Sequence, residues 1–210
     1  MKNTIKVIVA SLSFALAAGA TDIPRYETFF GYNFVRFNPN SGFIPSFNAN
    51  GGSGQFVYNF YKYVGAVVDV GAVTKGVLNG VDADTTVMHF VAGPRFSYHN
   101  HSRYTPFAQV MFGGAYATTS AGILGLPVAP PVIGPPITTP VSVRVGASNL
   151  GFAMMAGGGL DIKFHKHIAF RPVAADYYLT RMPSFLTTGD TSNRNNWRLS
   201  TGVNFMFGAQ

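Results

Sequence analysis

Seven ionisable residues, Glu27, Asp69, Arg95, Asp161, Arg171, Asp176 and Arg198, stand within stretches that are otherwise rich in apolar residues and glycine. Their chemistry is that of opposite charges. Brought into one enclosed space they would pair, either as a fixed salt-bridge network that keeps buried polar groups satisfied or as a gated ion path made by shifting pairs. The histidines offer a second possibility. His99-x-His101 and His165-x-His167 have a spacing that can put two imidazoles on one side of an extended segment, so four nitrogens could bind Zn²⁺ or Cu²⁺ if the two segments meet. The alternative leaves them beside lipid headgroups.

Charges scattered this widely share a space only if the elements carrying them present them to one side. Residues 196–207 show how. Asn196, Arg198, Ser200, Gly202 and Asn204 are polar or small, whereas Trp197, Leu199, Val203, Phe205 and Phe207 are apolar, with Thr201 the one interruption. Successive side chains of a strand face opposite sides, so this stretch has one wet face and one apolar face, at a length that crosses a bilayer as a strand. The same alternation predicts strands at 26–36, 54–61, 64–73, 86–97, 105–116, 149–163, 167–180 and 196–207. Long connections are expected through Asn38-Pro39-Asn40 and Asn50-Gly51-Gly52, through Lys75-Gly76 and Asn79-Gly80, over 117–148, and through Gly189-Asp190. Short ones are expected near Lys62, at 98–103 and at 164–166. This order predicts an all-β, eight-stranded antiparallel up-and-down transmembrane β-barrel, its long loops extracellular and its short turns and C-terminus periplasmic.

Followed around that path, one face holds Phe30, Tyr32, Phe34, Phe56, Tyr58, Phe60, Val68, Val70, Phe90, Phe96, Val110, Phe112, Phe152, Met154, Leu160 and Ile162, expected to meet lipid. The opposite face holds Glu27, Asn33, Gln55, Asn59, Asp69, His89, Arg95, Gln109, Asp161 and Arg171. Arg171 and Asp176 are five positions apart and cannot share a face on a regular strand. A bulge at Pro172, which has no amide hydrogen to donate, would reset the parity and turn Asp176, Tyr178 and Thr180 inward. An eight-stranded barrel is only wide enough for side chains to fill it, so the lumen is expected to be plugged by paired charges. Gly65, Gly71, Gly93, Gly113, Gly157 and Gly159 are expected to make room for the long arginines.

The N-terminus reads as an export signal. Lys2 and Lys6 precede an apolar run over 7–17, and Ala18-Gly19-Ala20 has the small-x-small form of a cleavage site, giving a signal peptide at 1–20 and a barrel domain at 21–210. The alternative, a membrane anchor, would need about 20 apolar residues. Two of the seven net positive charges leave with the signal. The remaining basic residues form no run, which argues against nucleic-acid binding. Cysteine is absent, excluding disulfides and a lipoprotein anchor. Charged residues make up 11%, well below the roughly 25% of soluble domains. Residues 121–137 carry no charge, but Pro127, Pro130, Pro131, Pro135 and Pro136 exclude a spanning helix, so the segment is expected to be a loop.

Several segments together resemble the small, single-domain OmpA-like outer-membrane proteins: Phe30-Gly31-Tyr32-Asn33-Phe34-Val35-Arg36, Gly93-Pro94-Arg95-Phe96-Ser97, Thr105-Pro106-Phe107-Ala108, Gly157-Gly158-Gly159-Leu160-Asp161, Arg171-Pro172-Val173 and Val203-Asn204-Phe205-Met206-Phe207. The resemblance covers residues 21–210. It implies insertion by the outer-membrane barrel assembly machinery, which in such proteins recognises an aromatic-terminated last strand, here Phe205 and Phe207. The chain departs from that pattern in the Gly208-Ala209-Gln210 that follows. It implies no peptidoglycan tether, which in larger members belongs to a further domain.

The expected function is therefore that of an integral outer-membrane barrel with a structural or surface-interaction role through its extracellular loops, in contact with outer-membrane lipid and lipopolysaccharide. A narrow channel or carrier of small solutes is the alternative, and a soluble lipocalin-like ligand binder the second. No serine falls convincingly with a histidine and a carboxylate on the outer rim, so catalysis is not expected, nor is a cofactor. The proline segment, with Pro140, is either an extended recognition arm or a surface insertion.

Overall fold

The computed structural model describes residues 23–38, 46–78, 81–99, 102–124, 142–183 and 191–209. Eight strands account for nearly all of them: β1 (Pro24–Phe37), β2 (Phe47–Asn59), β3 (Val64–Leu78), β4 (Val81–Ser97), β5 (Tyr104–Leu124), β6 (Ser142–His165), β7 (Ile168–Pro183) and β8 (Thr191–Ala209). Each pairs antiparallel with the next, and β1 pairs with β8 from Pro24↔Ala209 to Arg36↔Trp197, closing the sheet. The eight-stranded up-and-down barrel read from the sequence is the fold that forms. At one end, the turn end, residues 60–63, 98–103 and 166–167 join strands, and the backbone amides of Phe60 and Tyr61 both donate to the Val64 carbonyl. The connections at the far end, residues 1–20 expected to form the signal, and the prolines at 127–140 lie outside the described residues.

Strand periodicity produces the sidedness. Phe30, Phe56, Phe90, Phe112 and Phe152 stand exposed on the outer surface, while Asn33, Gln55, Asp69, His89 and Gln109, of opposite parity, are buried within. In β7 the parity changes where the sequence places Pro172. Leu160↔Val173 and Ile162↔Phe170 leave Arg171 and Pro172 facing Asp161 alone, and the β8 register shifts between Arg171 and Ala174. Arg171 and Asp176 are consequently both buried on one face.

The strands are longer than expected. β2 starts at Phe47, so Asn50-Gly51-Gly52 is strand and not loop, because these glycines admit close backbone: a Cβ at Gly51 would fall 1.9 Å from the Ala72 carbonyl oxygen. β3 continues through Lys75-Gly76, with a register shift between Lys75 and Val77, to the pair Leu78↔Val81. Most of the expected long β3–β4 connection is therefore strand, and 79–80 lie outside the described residues. β5 and β6 stay paired out to Leu124↔Ser142, so 117–124 and 142–148 of the expected loop over 117–148 are strand, and 125–141 lie outside the described residues.

At the glycines expected to make room for the arginines the closest approaches come from backbone and shorter side chains, and Gly65 stands opposite Arg95 in the register. A Cβ at Gly93 or Gly113 would meet the facing backbone, and one at Gly71 would meet His89 and Ser53; no arginine is among the nearest atoms at any of the six positions. These glycines let strands and smaller side chains approach. The space under Phe29 comes instead from Gly31 and Gly202, where a Cβ would strike its ring.

Candidate functional site in the barrel interior

All seven charged residues singled out above are buried in the interior, where they form two connected layers. The layer nearer the turn end is built on β1, β4, β6 and β7. Because the β7 bulge sets Arg171 beside Asp161, its guanidinium grips that carboxylate twice, Nε to Oδ1 at 2.7 Å and Nη2 to Oδ2 at 3.1 Å. Arg95 Nη2 donates to the same Asp161 Oδ2 at 3.1 Å and lies 3.6 Å from Glu27 Oε2. Amides complete the carboxylates: Asn59 Nδ2 donates to Glu27 Oε1 at 2.8 Å, and Asn204 Nδ2 donates to Glu27 Oε2 at 2.7 Å.

The second layer joins β3, β4, β7 and β8. Arg198 faces its cross-strand partner Asp176, donating from Nη2 at 2.7 Å and Nε at 3.0 Å to Oδ2, while Nη1 reaches Asp69 Oδ2 at 2.7 Å. His89 Nε2 stands 3.1 Å from Asp69 Oδ1 and 3.3 Å from Arg198 Nη1. Gln55 links the layers: its Nε2 donates to Asp69 at 2.8 Å, and its Oε1 accepts from Arg171 Nη1 at 2.7 Å. Removing an ion from water costs several kcal/mol, and this pairing with opposite charge and amides offsets it, with Arg95 Nη1 and Asn204 Oδ1 left buried without a hydrogen-bond partner.

Three features were missed in the sequence. Phe29 and Phe107 point inward, and the Arg171 guanidinium lies 4.0 Å and 4.3 Å from their ring centroids, with Arg95 3.8 Å from that of Phe107. Planar cations on ring faces gain most where water is excluded. The signal was the odd parity of Phe29, which it shares with Glu27 and Asn33. Secondly, His99 is buried, its Nδ1 2.9 Å from the Lys62 carbonyl and its Nε2 3.5 Å from Glu27 Oε1. It therefore does not join a metal cage with His165 and His167, whose rings lie 5.9 Å apart, and His101 is outside the described residues. Among the described residues no three His, Cys, Asp or Glu side chains are grouped to hold a metal ion. Thirdly, the interior is not polar throughout. Toward the far end Val35, Phe37, Val73, Val87, Met111 and Met155 form an apolar cluster, with Phe37 stacked on Phe47 and edge-on to Tyr178.

Phe205 and Phe207, the residues expected to carry the insertion signal, sit on β8 with partial exposure, paired in register with Thr28 and Tyr26 of β1.

A closed eight-stranded antiparallel barrel with an apolar exterior and charged residues inside is the fold of small outer-membrane barrels. Among solved structures, the attachment invasion locus protein Ail of Yersinia pestis is similar at a TM-score of 0.57 and 17% identity, covering 87% of this chain and 99% of that one. Its complex with the heparin analogue sucrose octasulfate gives 0.56 and 16% over the same shares. Neisserial surface protein A gives 0.53 and 12%, covering 90% and 99%. At these identities the likeness establishes the fold. No family model matches the chain, and no curated protein matches it.

Proposed function

We propose that this chain is an integral outer-membrane barrel of the OmpA-like class, its lumen plugged by its own side chains, with a structural or surface-interaction role. The observation that carries the reading is an inverted distribution of side chains: Asp69, Asp176 and Arg198 have no exposure, whereas Phe30, Phe90 and Trp197 are more than half exposed. A water-soluble domain exposes no continuous apolar belt of this kind. A lipocalin-like binder would keep an apolar cavity inside, where here three arginines pair with four carboxylates.

In this reading residues 1–20 direct Sec export, lipid and lipopolysaccharide surround the belt, and the barrel assembly machinery reads Phe205 and Phe207. The far-end connections are extracellular and the turn end is periplasmic. Exposed Arg36 and Arg181, with Arg194 on the intervening β8, favour an anionic extracellular partner. No catalysis is assigned.

The test is electrical. Refolded into planar bilayers, the protein is expected to pass no steady ion current. Sustained single-channel steps would overturn the plug and favour the narrow channel, and solubility without detergent would overturn the membrane reading.

A further inference from the structure

The turn end carries a second chemical asymmetry, on its rim and not in its lumen. Arg25, Lys62, Arg103 and Lys166 are exposed there. The carboxylates of the same end, Glu27 and Asp161, are each 2% exposed and face inward. Among the described residues this rim thus shows cations and no exposed carboxylate. A ring of one sign attracts its opposite with little internal compensation.

Two of the cations are seated on tyrosines. Arg25 Nη2 donates to the Tyr58 hydroxyl at 3.0 Å, and its guanidinium carbon lies 5.6 Å from that ring's centroid. Lys62 Nζ lies 5.4 Å from the centroid of Tyr63, which is itself stacked on Tyr98. Phe60 packs edge-on against Tyr58, and Tyr63 also stacks on Phe96, so the Arg25 seat spans β1 and β2 while the Lys62 seat lies at the β2–β3 turn beside β4. The turn is held from inside, since buried His99 bonds the Lys62 carbonyl. Neither cation has an ion pair among the described residues. Both are exposed at the turn end, beyond the strand segments that carry the outward aromatic residues. That is the depth of a phosphate beneath its acyl chains.

We infer that the rim formed by Arg25, Tyr58, Phe60, Lys62 and Tyr63 is a binding site for the phosphate headgroup of an anionic phospholipid in the leaflet that borders the turn end. The inference rests on the membrane reading above. Each cation offers its charge to a headgroup phosphate, and at the Arg25 seat the acyl chains lie along the exposed Tyr26 and Phe56.

The full chain is folded into nanodiscs of phosphatidylcholine containing a minor share of phosphatidylglycerol, and the lipids retained after mild detergent extraction are counted by native mass spectrometry. Wild type is expected to retain phosphatidylglycerol in preference to phosphatidylcholine. Arg25→Gln with Lys62→Gln is expected to weaken that preference about tenfold, from the charge lost at a lipid surface. Arg25→Lys with Lys62→Arg is expected to keep it, as is Lys75→Gln at the far end. Equal retention of both lipids by wild type, or undiminished preference in the double Gln variant, overturns the site. Heat-dependent gel migration of the folded barrel separates the two levels of the argument. A protein that never folds into bilayers overturns the membrane reading and the site together, whereas one that folds without lipid preference overturns the site alone.

Discussion

Arg198 and Asp69 meet at 2.7 Å across the barrel interior although β8 and β3 are not neighbours in the sheet. The contact fixes the barrel across its width, in a direction that hydrogen bonds along the wall do not control. It also means that the two strands cannot drift apart without separating opposite charges whose side chains are both fully buried. Arg198 bonds Asp176 at the same time, so one side chain neutralises two carboxylates.

Replacing Arg198 by Met leaves Asp69 and Asp176 without their cation. The expected loss is about 3–5 kcal/mol of unfolding free energy, read from urea unfolding in lipid bilayers. Adding Asp69→Asn and Asp176→Asn to Arg198→Met is expected to recover much of it, because the uncompensated charges then disappear. An unchanged urea midpoint in the single variant would refute the pairing.

Arg171→Lys keeps the charge but removes the two-point grip on Asp161 and the flat contact with Phe29 and Phe107. A loss of about 2 kcal/mol is expected in the same assay. A variant as stable as wild type would show that the ring contacts contribute nothing.

Phe90, 60% exposed near the middle of β4, tests what surrounds the outer surface. Against hydrocarbon, Phe90→Arg is expected to cost about 2–4 kcal/mol, whereas against water an exposed substitution stays within about 0.5 kcal/mol. The measured value separates the two environments.

Two glycines of the wall should respond in opposite ways. At Gly93 a Cβ would fall 2.0 Å from the Val110 carbonyl oxygen, so Gly93→Ala must push β4 from β5, at an expected cost of about 1–3 kcal/mol. At Gly114 the nearest atom would be 3.7 Å away, and Gly114→Ala is expected to fold normally. Thermal shifts on gels compare the pair directly.

Phe205→Ala with Phe207→Ala is expected to lower the amount of folded barrel in cell envelopes several-fold while leaving spontaneous refolding into pure lipid much less affected. Equal loss in both settings would assign these rings to packing instead of recognition.

Much of the barrel was legible because strand periodicity is a local property. Trp197, Leu199 and Phe205 alternate with Arg198, Ser200 and Asn204 in the sequence itself, and Pro172 marks the bulge through its missing donor. Strand ends were less legible. Asn50-Gly51-Gly52 has the composition of a turn, and only the approach of β3 shows why glycines are needed inside a strand there. The interior was legible as to which charges it holds, since parity settles that, but not as to who meets whom. The Arg198–Asp69 contact depends on the closed circumference, which no local pattern encodes. Phe29, Phe107 and His99 were overlooked because an aromatic ring on a wet face, or a histidine at a turn, acquires its meaning from arginines and a glutamate on distant strands.

The pairing of β1 with β8 carries a consequence for biosynthesis. Asn204 reaches back 177 positions to grip Glu27, so the first strand to leave the ribosome has no second neighbour until the last has been made. Until that last strand arrives the barrel cannot close, and its phenylalanines stand uncovered and prone to aggregate.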